Sequence, residues 1–370
     1  MTVSAIVLAA GEGTRMRSNR PKPLHLICGR PIVIHVIHAL EQLKPDCTVV
    51  VVGHGADHVV RKVTEQAPPW AGVTFAIQER QQGTGDATAC GVAALPGDDL
   101  DDDGTVLVLF GDLPLLRAET LEHLVADHVA HQRAATLLTC VEGDPTGYGR
   151  IVRAPSKTGE GRVLRIVEQR DAHPEELAIR EWNTGVMAFR RDLLAPALRR
   201  LSPDNAQHQY YLTDVVGSLA EMGHQVGTVH APVEETLGIN DRWQLALAER
   251  EFRNRTNRRW LLNGVTMLDP RQTFIDVTVT LGRDVTLFPG TMLHGDTTIG
   301  DGCEIGPSTR LTDCRVGAGC VVQHTVGERA TVGDGATVGP YAHLLAGSGV
   351  ADGATTGSFY TGSVAASQGA

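Results

Sequence analysis

Aliphatic residues recur at every sixth position from residue 275 to 311, and again from 326 to 350, of this 370-residue chain. Most are followed by glycine, aspartate or another small residue, as in Ile299-Gly-Asp-Gly and Val332-Gly-Asp-Gly. A buried aliphatic and a small corner residue in each six-residue unit are typical of the hexapeptide repeats of a parallel β-helix. The in-phase positions are Ile275, Leu281, Leu287, Leu293, Ile299, Ile305 and Leu311, and then Val326, Val332, Val338, Leu344 and Val350.

Three such repeats form one triangular coil, so the segment is long enough for several coils. The period is broken between Leu311 and Val322, which predicts a shortened or looped coil there. Beyond Val350 the phase fades into a tail of small residues.

The first two thirds of the chain have a different pattern, in which apolar strand-like runs alternate with amphipathic helical runs. This alternation predicts a Rossmann-like, doubly wound α/β sheet, in which ligands bind beyond the carboxyl ends of the strands. A long arginine-rich helix from residue 242 to 262 is then expected to connect the two regions. The predicted strands are 5–9, 48–52, 73–77, 105–110, 135–140, 149–153, 163–168 and 185–189, with helices near 31–43, 85–95, 118–130, 191–201 and 212–221.

Composition excludes several classes of protein. A formal net charge of -10 argues against binding nucleic acid through bulk electrostatics. The sequence has no apolar stretch long enough to span a bilayer and no basic leader at its start. Seven cysteines without CxxC or zinc-type spacing favour reduced thiols, so we expect a cytoplasmic protein without membrane partners.

A glycine turn near the amino terminus carries the first sign of chemistry. The run Leu8-Ala-Ala-Gly-Glu-Gly-Thr-Arg15 ends an apolar strand, and Lys22 follows closely. Backbone N–H groups exposed by glycine, together with fixed cations, are suited to a polyphosphate. The turn therefore indicates nucleotide chemistry.

With Pro21-Lys22, this run resembles the signature of the sugar-1-phosphate nucleotidyltransferases. The whole layout is similar to the bacterial bifunctional N-acetylglucosamine-1-phosphate uridylyltransferase/glucosamine-1-phosphate acetyltransferase family. The resemblance implies a nucleotidyltransferase domain over residues 1–241, a helical arm over 242–263 and a left-handed β-helix over 264–370. It also implies a homotrimer formed through the β-helix, with UTP, a sugar 1-phosphate and Mg²⁺ as ligands.

The same resemblance suggests individual site residues. Gln78, followed by Gln82-Gly-Thr-Gly-Asp-Ala87, is similar to the family's uracil-reading region, and an amide can both donate to and accept from that base. Asp112 ends an apolar strand and, with Asn240, corresponds to the metal ligands. The resemblance places the nucleotide at Leu8, Ala9, Ala10, Gly11, Gln78, Gly83 and Thr84, the sugar at Gly149, Glu168 and Asn183, and catalytic cations at Arg15 and Lys22.

A sugar 1-phosphate already carries an ionised oxygen, so displacement at the α-phosphorus of UTP requires alignment and charge neutralisation but no general base. We expect Arg15 to hold the leaving pyrophosphate and Lys22 the α-phosphate region. The predicted product is UDP-N-acetylglucosamine.

The second activity of the resembled family is not expected here. Two basic stretches of its acetyltransferase site correspond to Leu344-Leu-Ala-Gly347 and Phe359-Tyr-Thr-Gly-Ser363, which contain no cation. The chain also ends before the later coils of that family, and His343 is not at the position of its histidine base. We therefore expect no acetyltransferase activity.

Two alternatives stay open. Asp86 stands where the family usually has histidine, His208-Gln209 replaces Gly-Glu, and Lys22-Pro-Leu24 is also common in hexose-1-phosphate enzymes. These departures allow a paralogue that acts on another sugar 1-phosphate or another nucleotide. A silent trimeric scaffold is less favoured, because Arg15, Lys22 and Asp112 are all present.

Overall fold

The computed structural model of the protein describes residues 2–97, 104–156 and 161–362. These residues fold as two compact units, one within residues 2–25 and 31–248 and one within residues 26–30 and 249–362. Residues 363–370 of the predicted β-helical domain lie outside the described part of the chain. No helix among the described residues is long and apolar enough to cross a membrane.

The first unit is built on a mixed nine-stranded sheet. Its central strands run parallel, whereas β10 pairs antiparallel with both of its neighbours, β6 and β7. The order across the sheet is β11-β7-β10-β6-β1-β4-β5, with β8 paired to β10 and β9. The strands up to residue 230 are β1 (Val3–Ala9), β2 (Leu26–Ile27), β3 (Arg30–Pro31), β4 (Cys47–Val52), β5 (Val73–Ile77), β6 (Thr105–Phe110), β7 (Ala135–Cys140), β8 (Arg150–Arg153), β9 (Val163–Val167), β10 (Trp182–Arg190) and β11 (Val226–His230).

Helices cover both faces of this sheet. Alternate residues of β1 point to opposite faces, so Val7 joins one apolar core and Ile6 the other. Burial on both faces explains why the strand reads as a continuous apolar run. The helices are α1 (Ile32–His38), α2 (Ala56–Gln66), α3 (Thr84–Ala93), α4 (Ala118–Ala130), α5 (Pro174–Leu177), α6 (Arg191–Leu198), α7 (Thr213–Glu221) and α8 (Arg242–Leu262).

The predicted α/β architecture is confirmed, and α4 and α8 have the predicted ends. Helix α1 stops at His38 rather than 43, and β10 starts at Trp182, three residues before its predicted first residue. The sequence pattern did not predict α2, α5 or β11. Helix α2 is largely polar but amphipathic, and it buries Val59 and Val63, four residues apart, on one face.

The second unit contains the predicted left-handed parallel β-helix. Its strands stack in three five-stranded parallel sheets over the described residues. The strands are β12 (Thr266–Met267), β13 (Phe274–Ile275), β14 (Thr280–Leu281), β15 (Thr286–Leu287), β16 (Met292–His294), β17 (Thr298–Ile299), β18 (Glu304–Ile305), β19 (Arg310–Thr312), β20 (Arg315–Val316), β21 (Val321–Val322), β22 (Val326–Glu328), β23 (Thr331–Val332), β24 (Thr337–Val338), β25 (His343–Leu344) and β26 (Gly349–Val350).

The irregular coil is shortened, as predicted, but one inward position is wrong. Leu293 pairs with Leu311, 18 residues later, whereas Leu311 pairs with Gly327, only 16 residues later. Val326 is consequently 39% exposed, and Gly327 takes the inward place between Leu311 and Leu344. A repeat of five residues shifts every later inward position by one residue relative to a strict six-residue count. Counting in sixes across the gap therefore assigned the wrong residue.

Candidate active site

A cavity of about 480 Å³ lies at the carboxyl ends of β1 and β6 in the first unit. This is the position at which ligands bind in open α/β sheets, because the strands end there in loops. The cavity contains every residue predicted to bind the nucleotide, and two of the predicted phosphate and metal contacts. Its predicted residues are Leu8, Ala9, Ala10, Gly11, Lys22, Gln78, Gly83, Thr84 and Asp112.

A second cavity of about 440 Å³ adjoins the first and shares Thr84, Phe110, Asp112 and Gln209 with it. It contains all three residues that were predicted to contact the sugar. The remaining predicted residues therefore also belong to one continuous site. Those that line this cavity are Arg15, Gly149, Glu168, Asn183 and Asn240.

The glycine turn after β1 leaves backbone open to a ligand. A Cβ atom added at Gly11 would meet no atom within 4 Å, so packing does not require glycine there. Gly13 is different, because its φ of +63° lies in the left-handed region and a Cβ would come within 2.6 Å of the Lys22 side chain. Gly13 thus allows the turn, whereas Gly11 keeps space over the exposed backbone.

Four predicted residues meet where the two cavities join. Lys22 Nζ lies 2.5 Å from Asp112 Oδ2 and donates to Asn240 Oδ1 at 3.2 Å. Arg15 Nη2 donates to the same Asn240 oxygen at 2.9 Å. Residues more than two hundred positions apart in sequence are thereby brought into one charged cluster.

The Asp112 and Asn240 oxygens converge on a single ammonium group, which shows that this place accommodates a positive charge. Two hard oxygen donors suit Mg²⁺, which commonly keeps water and substrate phosphate as its other ligands. No group of three or more His, Cys, Asp or Glu side chains among the described residues is arranged to hold a metal ion. The donor set therefore fits a cation that is shared with a phosphate ligand better than one held by protein alone.

Gln78 lies at the end of β5 and is 4% exposed. Its Nε2 donates to the Gly83 carbonyl oxygen at 3.1 Å and to Asp86 Oδ2 at 2.7 Å. Gly83 has a φ of +116°, and a Cβ there would lie 2.4 Å from the Tyr210 carbonyl oxygen. Only glycine fits this turn between β5 and α3.

The second cavity has a polar wall in which Glu168 accepts a hydrogen bond from Thr213 Oγ1 at 3.1 Å. Burial raises the pKa of Glu168, and the negative charges of Asp214 and Asp171 raise it further. Asn183 is 6% exposed, and its Oδ1 accepts from the Gly185 N–H at 3.1 Å. The Asn183 amide nitrogen is therefore the atom that this side chain can use to donate to a ligand.

Tyr148 lines the second cavity and packs against Trp182. Their ring centroids lie 4.2 Å apart, and the Tyr148 hydroxyl accepts from the Gly238 N–H at 3.4 Å. Gly149 precedes β8, and its carbonyl accepts from the Asn183 N–H at 2.8 Å. These contacts tie the loop 147–149 to the strand that carries Asn183.

Sequence reasoning missed two residues that hold the charged cluster in place. Arg242 Nε donates to the Met16 carbonyl at 3.1 Å, next to Arg15, and its Nη1 contacts His25 Nδ1 at 3.2 Å. Gln244 Oε1 accepts from the Asn240 N–H at 2.7 Å. Arg242 follows Asn240 by two residues, so its place in that motif was the available signal.

The contact with Arg242 determines the tautomer of His25. A guanidinium group only donates, so His25 Nδ1 must accept and the proton resides on Nε2. His25 is 3% exposed, and burial lowers its pKa, with the charges of Arg242 and Arg20 adding to the effect. A neutral histidine therefore supports the arginine that fixes the glycine turn.

Comparison with protein families finds two matching regions. Residues 5–215 match the model of the MobA-like NTP transferase domain. Residues 278–313 match the bacterial transferase hexapeptide model with its six repeats. The second match lies within the second unit, and the first lies within the first unit apart from residues 26–30.

Curated relatives match nearly the whole chain. The bifunctional protein GlmU of Streptomyces avermitilis is 49% identical over 357 residues, covering 96% of this chain and 72% of that protein. The protein of the same name from Halalkalibacterium halodurans is 43% identical, covering 96% and 75%. Among solved structures, a UDP-glucose pyrophosphorylase complexed with UDP-glucose matches 69% of this chain and 100% of that chain, with a TM-score of 0.53 and 15% identity. That last similarity concerns the fold alone.

Proposed function

We propose that this chain, which belongs to the family of bifunctional GlmU proteins, joins UTP and N-acetylglucosamine 1-phosphate to give UDP-N-acetylglucosamine and pyrophosphate. The predicted family is thereby confirmed, as is the class of sugar-1-phosphate nucleotidyltransferase. The observation that carries the proposal is the cluster of Lys22, Arg15, Asp112 and Asn240 where the two cavities meet. A nucleotide in one cavity and a sugar phosphate in the other would place their phosphates there.

Catalysis by these residues consists of alignment and charge stabilisation. Lys22 would neutralise the α-phosphate as its charge spreads over the equatorial oxygens, and Arg15 would hold the departing pyrophosphate. Both cations are fixed by Asn240, so little reorganisation is needed when charge develops. The sugar phosphate oxygen is already anionic, so no side chain has to remove a proton from it.

We assign Mg²⁺ as the cofactor, with Asp112 and Asn240 as its protein ligands. When bound, the ion neutralises phosphate charge and fixes the orientation of the two phosphates. Lys22 contacts both of these ligands and would shift toward the phosphates when they arrive. The remaining ligands of the ion would be phosphate oxygens and water.

The sugar is held by the second cavity in this proposal. Glu168 would accept hydrogen bonds from sugar hydroxyls, and the Asn183 amide nitrogen would donate to the N-acetyl oxygen. Gly149 has no space for a side chain, since a Cβ there would lie 2.8 Å from the Ile166 side chain and 3.4 Å from Glu168 Oε1. Neither polar group excludes glucose, so another sugar 1-phosphate stays the alternative.

We assign residues 1–241 to this activity, residues 242–263 to the arm and residues 264–370 to a β-helix that serves assembly as a homotrimer. A cytoplasmic location and the absence of acetyltransferase activity stay predictions. Transfer of an acetyl group from acetyl-CoA to glucosamine 1-phosphate by the purified chain would contradict the second of them.

Pyrophosphate release tests the proposal directly. A grid of four nucleoside triphosphates against several sugar 1-phosphates, with Mg²⁺, should give the highest kcat/KM for UTP with N-acetylglucosamine 1-phosphate. Preference for another pair would favour the paralogue, and no release from any pair would favour the scaffold. Sedimentation of the same sample tests the trimer.

A further inference from the structure

Gln78 is held by two neighbours that can only accept hydrogen bonds. Its terminal group contacts the Gly83 carbonyl oxygen at 3.1 Å and Asp86 Oδ2 at 2.7 Å. A carbonyl and a carboxylate both require a donor, so the NH₂ of the amide must face them. The chemistry of the partners therefore fixes which atom is nitrogen and which is oxygen.

Both acceptors are held in place by the backbone. The Gly83 carbonyl also accepts from the Ala87 N–H at 3.1 Å, as the first bond of α3. Two further bonds join the strand end to the chain at Tyr210, which donates to the Gln82 carbonyl and accepts from the Gly85 N–H, each at 2.8 Å. Asp86 lies in the first turn of α3, where a carboxylate is favoured by the helix dipole.

Both hydrogens of the Gln78 amide are therefore used within the protein. Its Oε1 receives no hydrogen bond from the described residues, and the side chain lines the nucleotide cavity. Toward a ligand, Gln78 presents an acceptor and no donor. The donating half of the role expected for Gln78 is thus not available while Asp86 holds the amide.

We propose that Asp86 is a positioning residue for base selection, which fixes Gln78 as an acceptor toward the base. Uracil has a ring N–H that can donate to Gln78 Oε1, whereas the corresponding ring nitrogen of cytosine is itself an acceptor and is repelled. The site thus favours UTP over CTP. This inference rests on the proposed function, in which the nucleotide occupies this cavity.

The position of Asp86 makes the fixed orientation of the Gln78 amide a property of this chain. Asp86 stands where the resembled family usually has histidine, and a histidine ring can either donate or accept. A carboxylate only accepts, so it forces one orientation of the amide. Among the described residues, losing this carboxylate leaves the Gly83 carbonyl as the one acceptor that opposes a flip of the amide.

The test compares Asp86→Leu, which removes the acceptor at similar volume, with Asp86→Asn, which retains an acceptor oxygen. Binding of UTP and of CTP is measured by calorimetry with Mg²⁺, and kcat/KM is measured for both nucleotides. We expect the UTP/CTP ratio to fall roughly tenfold in Asp86→Leu, the loss of about one hydrogen bond, and to stay within about twofold of wild type in Asp86→Asn. Asp86→Ala repeats the test with a smaller side chain, and circular dichroism checks the fold.

A structural role alone would weaken both nucleotides equally, so an unchanged ratio in Asp86→Leu and Asp86→Ala would overturn the proposal. Equal loss of selectivity in Asp86→Asn would also overturn it, because charge rather than the acceptor would then matter. If the wild-type chain bound UTP over CTP without releasing pyrophosphate, the proposed reaction would fail while the calorimetric ratios still decided the role of Asp86.

Discussion

In the β-helix the same contact is made many times, whereas in the α/β unit each contact of the site is made once. Asp301, Asp313 and Asp334 each accept a backbone N–H of the preceding coil through Oδ1, at 2.7–2.9 Å. The charged cluster of Lys22, Arg15, Asp112 and Asn240 occurs only once among the described residues. A repeated contact distributes stability along the chain, so the loss of one copy should be tolerated. A contact made once concentrates the chemistry in a few atoms.

The largest expected effect is on the site made of unique contacts. Arg15→Ala should lower kcat for pyrophosphate release by roughly 100- to 1,000-fold, because a preorganised cation at the developing charge is lost. The unfolding midpoint should stay near that of wild type, since Arg15 is exposed. The matched control is Arg17→Ala, which removes an exposed neighbour that contacts no side chain of the cluster among the described residues, and it should retain most activity. If Arg15→Ala released pyrophosphate at the wild-type rate, the site would not depend on this single contact, and the contrast with the β-helix would fail.

A core substitution in the β-helix should lower stability and leave activity unchanged. Ile305 is fully buried, so Ile305→Ala should lower the free energy of unfolding by about 2–5 kcal/mol. Its exposed neighbour supplies the control, and Glu304→Ala should change stability by about 0.5 kcal/mol or less. Chemical denaturation measures both. At denaturant concentrations below the unfolding transition, kcat of Ile305→Ala should match that of wild type. A lower kcat under those conditions would show that catalysis depends on the packing of the β-helix core.

Acid should destabilise the α/β unit through His128. This residue is 2% exposed, pairs with Thr136 at 3.0 Å, and burial lowers its pKa from 6.5 to about 4. The unfolded chain binds a proton more readily, so the stabilisation is complete above pH 6.5 and is lost as the pH falls toward 4. The expected loss is about 3 kcal/mol.

Denaturation at pH 7 and pH 4.5 measures this effect, with His128→Gln as the variant that cannot titrate. The difference in stability between wild type and variant should shrink as the pH is lowered. A difference that is independent of pH would exclude His128 as the cause.

The sugar wall should also respond to pH. Because burial raises the pKa of Glu168, its carboxylate should be lost at a higher pH than an exposed glutamate, and sugar binding should weaken there. The ratio of kcat/KM between wild type and Glu168→Gln cancels the titration of the substrate itself. That ratio should decline on the acid side, and a flat ratio would remove Glu168 from the sugar site.

The smallest effect is expected from one copy of the repeated aspartate contact. Asp334→Ala should cost about 1 kcal/mol of unfolding free energy, because the Ala318 N–H loses its partner at 2.7 Å. Asp334→Asn keeps an acceptor oxygen and should cost less. Thermal denaturation compares the two, and a loss of several kcal/mol in Asp334→Ala would show that the copies are not equivalent.

The two regions also differ in how much their sequences predict. In the β-helix most repeats carry an aliphatic residue at the inward position, so the burial of Leu293 and Ile305 could be predicted from the period alone. The prediction that Val326 faces inward was wrong because shortened repeats shift the inward positions without a local sequence signal. The inward residue is Gly327, which is not aliphatic and so does not mark the position. In the α/β unit, strands buried on both faces were readable as apolar runs, but the largely polar α2, which buries Val59 and Val63, was not.

Prediction of the site depended on short motifs in the right order, and the structure brings all of the motif residues together. The supporting contacts could not be read from the motifs. Arg242 matters through the Met16 carbonyl and His25, which are far from it in sequence. Asp86 looked like a simple departure from a family pattern until its bond to Gln78 was seen. Such roles depend on the partner rather than on the residue type.

The most direct test of the central claim is pyrophosphate release from UTP and N-acetylglucosamine 1-phosphate by wild type and Lys22→Ala at saturating substrates. We expect steady release by wild type and a loss of roughly 100- to 1,000-fold in the variant. Release by Lys22→Ala at the wild-type rate would contradict the assignment of the charged cluster as the catalytic centre.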